Sequence, residues 1–565
     1  MELSRKGKKV KCYRVMKEKV LIYQVFTRLY GNRNVTRKEN GTLAENGCGK
    51  MNDFTPKVLK DLAQMGISHV WYTGVIRHAT QTDYTAYGIP RQHPAVVKGK
   101  AGSPYAITDY YDVDPDLAVD VKQRMQEFEQ LLERTHDAGM KVIIDFVPNH
   151  VARQYKSICK PRGVKDLGET DQSLHGFDPQ NNFYYCPGER FTPYFDLYNG
   201  ETEPYLEEPA KATGNDHFDN APGRNDWYET VKLNYGVDYY AGRVNHFNPI
   251  PDTWQKMTNI LLFWAKKGVD GFRCDMAEMV PAEFWAYATK AVKKKFKDIV
   301  FMGEVYNPFE YRHYLESGFD WLYDKVGMYD TMRGVICRME PAGAITQAWQ
   351  QTDDIRNHMV YFLENHDEQR IGSDFFAARP VKGVPGMIAS VLMYQNPFML
   401  YAGEEYGERG MDREGFSGND GRTTIFDYWS IDTLCRASAK KLTASEEQIF
   451  DIHQKTLQLA RKEKAIAEGL SFDLMYVNQH LQRQYAFLRK ADSELLLVVV
   501  NFEDQEVVID VNVPAHAFDY MDMKEKNVIA TDLLTKEKLA MRMKRDGSIR
   551  MAVPANGGRV WKVKM

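Results

Sequence analysis

Four apolar runs in this chain end in ionisable residues, and this pattern constrains the fold more than any other feature of the sequence. The runs close with DFVPNH (145–150), GFRCD (271–275), MGE (302–304) and ENHD (364–367). One polar residue after a strand is an ordinary cap, but capping does not explain four such endings in series. Because the carboxyl ends of parallel strands meet at one edge, the pattern predicts parallel strands whose polar ends share a site.

The segments around these runs alternate between strand and helix patterns. The predicted strands include 21–30, 68–75 and 141–150, and the predicted helices include 117–139 and 281–296. This order is compatible with a closed barrel or an open doubly wound sheet. Successive polar endings lie roughly one or two β/α units apart, except across one long insertion, and this spacing favours a (β/α)8 TIM barrel.

Composition divides the chain into further parts. After a basic N-terminal lead (1–18), we expect the barrel in two pieces, 19–151 and 251–465. Residues 152–250 are rich in Asn, Gly, Pro and Tyr and lack a helical period, which predicts a small domain inserted after the third strand. Short apolar runs separated by turns over 466–565 predict a C-terminal antiparallel β-sandwich.

Bulk properties exclude several classes of partner. The net charge of −3 gives no electrostatic case for nucleic acid or an anionic membrane surface. No segment approaches the length of a membrane span, and no signal peptide is visible. The 7 cysteines are an odd, scattered set without a CxxC pair, which favours reduced thiols. We therefore expect a cytoplasmic protein, unless a leader has been removed; the oligomeric state is left open.

Side-chain alternation indicates how the polar endings divide the chemistry. Arg273 and Asp275 point to one face of their strand, and an arginine beside an aspartate lowers the pKa of the carboxyl, which suits a nucleophile. Glu304 has no basic residue in its immediate sequence, and a carboxyl group in a poorly solvated cleft suits a general acid. Carboxyls on adjacent strands can lie about 5–5.5 Å apart, the separation used in retaining glycoside hydrolysis.

Three further side chains complete the predicted site. Asp367 is expected to hold sugar hydroxyls and to support an oxocarbenium-like transition state. The imidazoles of His150 and His366 are expected to donate hydrogen bonds to hydroxyls of the same ring. Together with the carboxyl pair, they predict a pocket for one sugar.

The motifs DFVPNH, GFRCD, GE and ENHD, in this order and at these spacings, resemble the four signature regions of the α-amylase family of glycoside hydrolases (family 13). The resemblance covers nearly the whole chain, since the insertion is similar to that family's domain B and the all-β tail to its domain C. It implies that Asp275 is the nucleophile, Glu304 the acid/base and Asp367 the transition-state stabiliser.

The same resemblance implies a set of substrate-binding residues. Arg273, His150 and His366 are similar to the family residues that line the subsite of the attacked glucose. Tyr105, in GSPYAITDYY, matches the family's stacking tyrosine before the second helix.

The sequence departs from the family pattern directly after the nucleophile. Many α-amylases have Ala-Lys-His there, whereas this chain has Met276 and Ala277 followed by Glu278 and Met279. The family's histidine meets the sugar beyond the cleaved bond and lends its carbonyl to a structural calcium. We therefore look for the specificity of this chain at Glu278 and Met279.

No metal site is predicted, and the chemistry requires no cofactor. Asn149 matches the family's calcium-ligating asparagine, but Ca²⁺ takes about six to eight oxygen ligands, and one oxygen is not a site. A hydrogen-bonded structural asparagine is the expected role. Cys274 faces away from Asp275 and is expected to be a packed core thiol.

The leading interpretation is a retaining hydrolase that cleaves α-1,4-glucosidic bonds of starch-like glucans or maltooligosaccharides through a covalent glycosyl-enzyme intermediate. An α-glucan transglycosylase, which passes a glucosyl or maltosyl group to a sugar or to phosphate, shares the same chemistry. A remote alternative is a non-catalytic glucan-binding protein on the same fold. The sequence does not decide endo or exo mode, chain length or tolerance of α-1,6 branches.

Overall fold

The computed structural model describes residues 19–565, so the predicted basic lead, 1–18, lies outside the described residues. Eight parallel strands close into a barrel, in which each strand pairs with the next along the chain and the eighth pairs with the first. The barrel strands are β1 (Leu21–Phe26), β2 (His69–Thr73), β3 (Lys141–Phe146), β4 (Gly271–Cys274), β5 (Val300–Gly303), β6 (Trp321–Tyr323), β7 (Met359–Phe362) and β8 (Phe398–Tyr401). The predicted (β/α)8 barrel is confirmed.

The barrel interior is a packed core. Alternate residues of the strands form one apolar cluster that includes Ile22, Trp71, Ile143, Met302, Val360 and Met399. On β4 the corresponding inward position is Arg273, which lies in register with Asp145 on β3 and with Met302 on β5. A buried cation therefore lies level with an acidic residue on one neighbouring strand and with an apolar residue on the other.

Helices follow the strands and cover the outside of the barrel. The longer ones are Pro56–Met65, Arg124–Asp137, Asp252–Lys267, Ala282–Lys295, Tyr311–Glu316, Asp330–Ile336, Ala344–Gln350, Val384–Leu392, Asp432–Ser438 and Ala444–Lys462. Two of these helices end at Gly66 and Gly268, whose φ angles of 111° and 105° lie in the left-handed region that glycine tolerates best.

Three predicted element bounds are wrong. The strand expected over 141–150 ends at Phe146, and the chain leaves the barrel before a separate short strand begins at His150. The strand expected over 21–30 turns into a short helix at Thr27–Tyr30, where the chain leaves the edge of the barrel. The helix expected over 117–139 begins only at Arg124. A separate turn precedes it, because the Asp120 side chain accepts the backbone N–H of the second residue after it and caps that turn.

Residues 152–250 leave the barrel after β3. This range, all of which the structure describes, contains no helix and is held by short antiparallel ribbons. The ribbons pair Tyr185–Cys186 with Ala210–Lys211, and Val237–Asp238 with Val244–Asn245. A further ribbon, between His150–Ala152 and Thr230–Lys232, joins residues 152–250, which we call the excursion, to the end of β3. The excursion is therefore anchored beside one of the predicted site histidines.

The C-terminal region is built from antiparallel strands. They are β9 (Leu470–Asp473), β10 (Gln484–Ala491), β11 (Glu494–Asn501), β12 (Val507–Val513), β13 (Lys526–Asp532), β14 (Lys538–Met543), β15 (Gly547–Val553) and β16 (Gly557–Lys564). A 6-stranded sheet has the order β9-β10-β11-β16-β13-β14, and β12 pairs with β15. The predicted C-terminal antiparallel domain is confirmed.

A buried arginine joins this region to the barrel. Arg489, on β10, donates hydrogen bonds to the backbone carbonyls of Met393, Ala465 and Ile466. These carbonyls belong to segments at the ends of barrel helices, so the guanidinium satisfies groups that a helix terminus leaves without a partner.

Two further observations concern the helices and the cysteines. Among residues 19–565, none of the helices combines the length and the apolar character needed to cross a membrane. The cysteines in the same range are all free, and Cys12 lies outside it. Cys274 is buried in the core between strands and helices, in agreement with its expected packing role.

Candidate active site

One buried arginine organises the carboxyl end of the barrel. Arg273 Nη1 donates to Asp275 Oδ1 at 2.7 Å, and Nη2 lies 2.8 Å from Glu304 Oε2. The register of β4 and β5 pairs Cys274 with Gly303, so the two acids that follow these residues lie side by side. The guanidinium, which has no exposed surface, therefore bridges the two predicted catalytic carboxyls.

Two electrostatic expectations are wrong. Glu304 has no basic neighbour in the sequence, yet the adjacent strand supplies Arg273 to it. Burial raises the pKa of Asp275 well above its ordinary value; Arg273 opposes this rise, and the charges of Glu304 and Asp367 add to it. The arginine does not hold the pKa of Asp275 low, because burial, together with the neighbouring acids, outweighs its effect.

Two more carboxyls lie near the same guanidinium. Asp145 Oδ1 and Asp367 Oδ2 are 3.9 Å and 4.0 Å from its nitrogens. Burial, with a contribution from Glu304, raises the pKa of Asp145 to about 6 and the pKa of Asp367 to about 7. Four acids therefore surround one cation, and the cluster binds protons near neutral pH.

His366 is held by neighbours on several sides. Gln24 Nε2 lies 2.7 Å from its Nδ1, and its Nε2 lies 2.5 Å from the Tyr105 hydroxyl and 3.0 Å from Asp367 Oδ2. Its ring also stacks on that of Tyr105, with centroids 5.3 Å apart. Because the amide N–H of Gln24 donates to Nδ1, the proton of the neutral ring sits on Nε2. Burial lowers the pKa of His366, which keeps the ring neutral.

His150 lies at the junction between the barrel and the excursion. Its ring is 5.2 Å from that of Trp227, and it contacts the backbone carbonyl of Tyr105. Burial lowers the pKa of His150 to about 3. Both predicted histidines are therefore neutral, and each ring has one donor and one acceptor nitrogen.

The neighbouring asparagine is fully engaged by protein groups. Asn149 Oδ1 accepts a hydrogen bond from Lys232 Nζ at 2.7 Å, and its Nδ2 donates to the Gly214 carbonyl at 2.7 Å. The same ammonium lies 2.6 Å from Asp216 Oδ1. The asparagine oxygen that would face a calcium ion accepts from a lysine instead, so Asn149 does not fit the calcium site that the family implies.

Several groups around the site were not identified from the sequence. The Tyr306 hydroxyl donates to Glu304 Oε1 at 2.5 Å, and the Tyr323 hydroxyl lies 3.3 Å from Arg273 Nε. The backbone N–H of Met276 donates to Glu304 Oε2 at 2.7 Å. Met276 adopts a left-handed conformation with φ 43°, a strained geometry of the kind found at functional sites.

Comparisons with known proteins agree with this architecture. The family model described as "Alpha amylase, catalytic domain" matches residues 24–469, and the model described as "Alpha amylase, C-terminal all-beta domain" matches residues 476–564.

Individual proteins show the same relationship at low sequence identity. Alpha-amylase 3 of Dictyoglomus thermophilum is 23% identical over 453 residues, which are 75% of this chain and 78% of that protein. An alpha-amylase of Streptomyces lividans is 26% identical over 407 residues, which are 65% of this chain and 42% of that protein. The crystal structure of the maltogenic alpha-amylase AmyB from Thermotoga neapolitana is similar in fold, with a TM-score of 0.62 and 19% identity over 97% of this chain and 99% of that one. Since the catalytic-domain model matches most of its length, this chain belongs to the α-amylase family.

Proposed function

We propose that the protein is a retaining glycoside hydrolase that cleaves α-1,4-glucosidic bonds of starch-like glucans or maltooligosaccharides. The observation that carries the proposal is the Arg273 guanidinium, which holds Asp275 and Glu304 on its two terminal nitrogens. Two carboxyls bridged in this way favour the separation of retaining enzymes, about 5–5.5 Å, over the wider spacing that inversion requires. Membership of the α-amylase family supports an α-glucan as the substrate.

The first step forms the covalent intermediate. The Asp275 carboxylate attacks the anomeric carbon, and the bond from this carbon to the glycosidic oxygen breaks. Glu304 gives its proton to the departing oxygen, which leaves as an alcohol. Arg273 contacts both acids, so it stabilises the negative charge as it passes from Asp275 to Glu304.

The second step releases the sugar. Glu304, now ionised, takes a proton from water while the water oxygen attacks the anomeric carbon. The ester bond to Asp275 breaks and restores its carboxylate. Each step inverts the anomeric carbon, so the product keeps the α configuration. We assign to Asp367 the binding of sugar hydroxyls as the oxocarbenium-like transition state forms.

We assign the pocket for the attacked glucose to Tyr105, His150, Arg273 and His366. The two neutral imidazoles line this pocket without bringing a further charge into the acid cluster. Tyr105 packs on His366 and supports the wall of this pocket. The excursion 152–250, which joins the barrel beside His150, is proposed to shape the cleft that receives the rest of the glucan.

Product analysis with maltopentaose tests the proposal. Proton NMR should show the α anomer of the new reducing end first, and early accumulation of the β anomer would contradict a retaining mechanism. Chromatography should show only shorter sugars. Longer maltooligosaccharides, or a glycosyl phosphate when phosphate is present, would favour the transglycosylase alternative, which uses the same two steps with another acceptor.

The non-catalytic alternative predicts a different result. A glucan-binding protein would retain maltopentaose in equilibrium dialysis without cleaving it, and Asp275→Asn would leave both properties unchanged. The proposed hydrolase should lose cleavage in this variant and keep binding. A cytoplasmic location is also proposed, supported by the free cysteines among residues 19–565.

A further inference from the structure

The turn after the nucleophile holds a carboxylate that the two steps above do not use. Glu278 lies in the short turn Ala277–Met279 and is partly buried. Its Oε2 accepts the backbone N–H of Tyr306 at 3.1 Å and that of Asn307 at 3.0 Å. Its backbone carbonyl accepts the Tyr314 hydroxyl at 3.1 Å. The carboxylate is therefore bound to the loop that follows β5.

That loop carries the tyrosine that touches the acid/base. The Tyr306 hydroxyl donates to Glu304 Oε1 at 2.5 Å. Burial, and then the charges of Glu304 and Asp367, raise the pKa of Tyr306, so the hydroxyl keeps its proton and acts as a donor. Glu278 thus fixes the backbone of the residue whose side chain binds Glu304.

Both oxygens of Glu304 are engaged. Tyr306 binds Oε1, while Arg273 and the backbone N–H of Met276 bind Oε2. A carboxyl held in this way cannot rotate about its last bond without breaking hydrogen bonds to one oxygen. Loss of the Tyr306 hydroxyl would leave Oε1 without its donor, while Oε2 would remain bound.

We propose that Tyr306 positions Glu304 for proton transfer, and that Glu278 holds the loop that presents Tyr306. This inference rests on the proposed function, because it takes Glu304 as the acid/base. The segment after the nucleophile then reaches Glu304 by two routes, directly through the Met276 N–H and indirectly through Glu278. The place where the chain departs from the family pattern therefore acts on proton transfer to the leaving group.

The test uses two substrates that differ in their need for a proton. The departing oxygen of maltopentaose must receive a proton. In α-maltosyl fluoride the leaving group is fluoride, which departs with little assistance from an acid. Tyr306→Phe should lower kcat/KM for maltopentaose about tenfold or more, the effect of losing one hydrogen bond to a charged group, and kcat/KM for the fluoride by less than about twofold. A purely structural role would lower both values equally.

Matched variants separate the hydroxyl from general damage. Tyr311→Phe makes the same chemical change at a buried hydroxyl that has no hydrogen-bond partner among the described residues, and it should leave both kcat/KM values unchanged. Glu278→Ala should lower kcat/KM for maltopentaose more than for the fluoride, as Tyr306→Phe does. Glu278→Gln keeps an acceptor oxygen and should retain most of the activity on maltopentaose. The combination of Tyr306→Phe with Glu278→Ala should lose little more than Tyr306→Phe alone, since both act on the same contact.

Glu304→Gln distinguishes failure of this inference from failure of the proposed function. Suppose that Glu304→Gln lowers kcat/KM for maltopentaose far more than for the fluoride, while Tyr306→Phe lowers both values equally or changes neither. The positioning role of Tyr306 is then overturned, and the acid/base assignment of Glu304 stands. If Glu304→Gln lowers kcat/KM equally for both substrates, Glu304 is not the acid, and the inference fails together with the proposed function. Selective loss in both variants supports the inference.

Discussion

Two buried cations lie at the same end of the barrel, and they differ in how much negative charge surrounds them. Arg273 lies within 4.0 Å of four carboxylates, those of Asp145, Asp275, Glu304 and Asp367. Lys232 is equally buried, but it bridges a single carboxylate, Asp216, and the neutral amide oxygen of Asn149.

This difference in charge balance separates a reactive cluster from a structural one. Four acids around Arg273 cannot all be ionised cheaply in a buried site, so their protonation responds to pH and to the passage of charge between nucleophile and acid/base. The Lys232 cluster holds one acid, Asp216, whose other oxygen lies 3.9 Å from Arg243 Nη2, so the cluster has no excess of negative charge. The first cluster is suited to proton transfer, and the second to joining the excursion 152–250 to the barrel.

The largest expected effect comes from changing the shape of the first cation while keeping its charge. Arg273→Lys replaces two terminal nitrogens by one, so the side chain cannot hold both Asp275 and Glu304. We expect kcat/KM for maltopentaose to fall about 10²–10³-fold, as when an enzyme loses one preorganised donor. Steady-state kinetics measures this effect, and circular dichroism establishes that the variant is folded. A fall in kcat/KM of less than about tenfold would contradict a central role of Arg273 in catalysis.

A smaller effect, on stability, is expected at the second cation. Lys232→Met keeps an unbranched side chain but removes the ammonium group that contacts Asp216 and the oxygen of Asn149. We expect the free energy of unfolding to fall by about 2 kcal/mol, less than for a fully buried pair because Asp216 is partly exposed. Differential scanning calorimetry should show a lower apparent Tm, while turnover of maltopentaose changes little.

Calcium provides the control for this comparison. The ammonium group of Lys232 already contacts the side-chain oxygens of Asn149 and Asp216. Neither added calcium nor a chelator should therefore change the apparent Tm of the unaltered protein. A rise of several degrees with calcium, reversed by the chelator, would show that Lys232 does not replace a metal ion.

The pH dependence of stability should separate the two clusters further. Folding raises the pKa of Asp367 from 3.8 to about 7, so the folded protein binds this proton more tightly than the unfolded chain does. The resulting stabilisation is present below about pH 4 and is lost as the pH rises through about 7. Asp367→Asn, which stays neutral, should therefore have a higher apparent Tm than the unaltered protein above about pH 7, and this advantage should vanish towards about pH 4.

The Lys232→Met variant gives the matching measurement. Its loss of stability should vary less over the same pH range, because Lys232 is not surrounded by several acids that compete for one cation. An Asp367→Asn advantage that did not vary with pH would contradict the charge imbalance around Arg273.

The sequence was sufficient for the barrel and for the acids, because each acid closes an apolar run and the order of elements fixes where those runs end. It was insufficient for contacts between distant segments. Lys232 and Asn149 form a hydrogen bond although they are 83 residues apart in the sequence, and the sequence around neither residue predicts this contact. Arg273 lies far along the chain from Glu304, so only the register of β4 and β5 brings them together.

One missed residue did have a readable signal. Gln24 is a polar side chain within the apolar run LIYQVF, and in the structure it fixes the orientation of His366. Tyr306 had no comparable signal, since its role depends on a loop held by Glu278. The sequence could not predict the direction of the pKa shift at Asp275, because the shift depends on burial and on acids from two other strands, Glu304 and Asp367.

The most direct test of this account is to trap the glycosyl-enzyme intermediate. A 5-fluoro-α-glucosyl fluoride carries a good leaving group and slows hydrolysis of the intermediate, so a retaining enzyme accumulates the ester. Mass spectrometry of the digested protein should find one fluoroglucosyl group on the peptide that contains Asp275, and none in Asp275→Asn. An adduct on another residue, or turnover of maltopentaose to α products without any trapped ester, would contradict the assignment of Asp275 as the nucleophile.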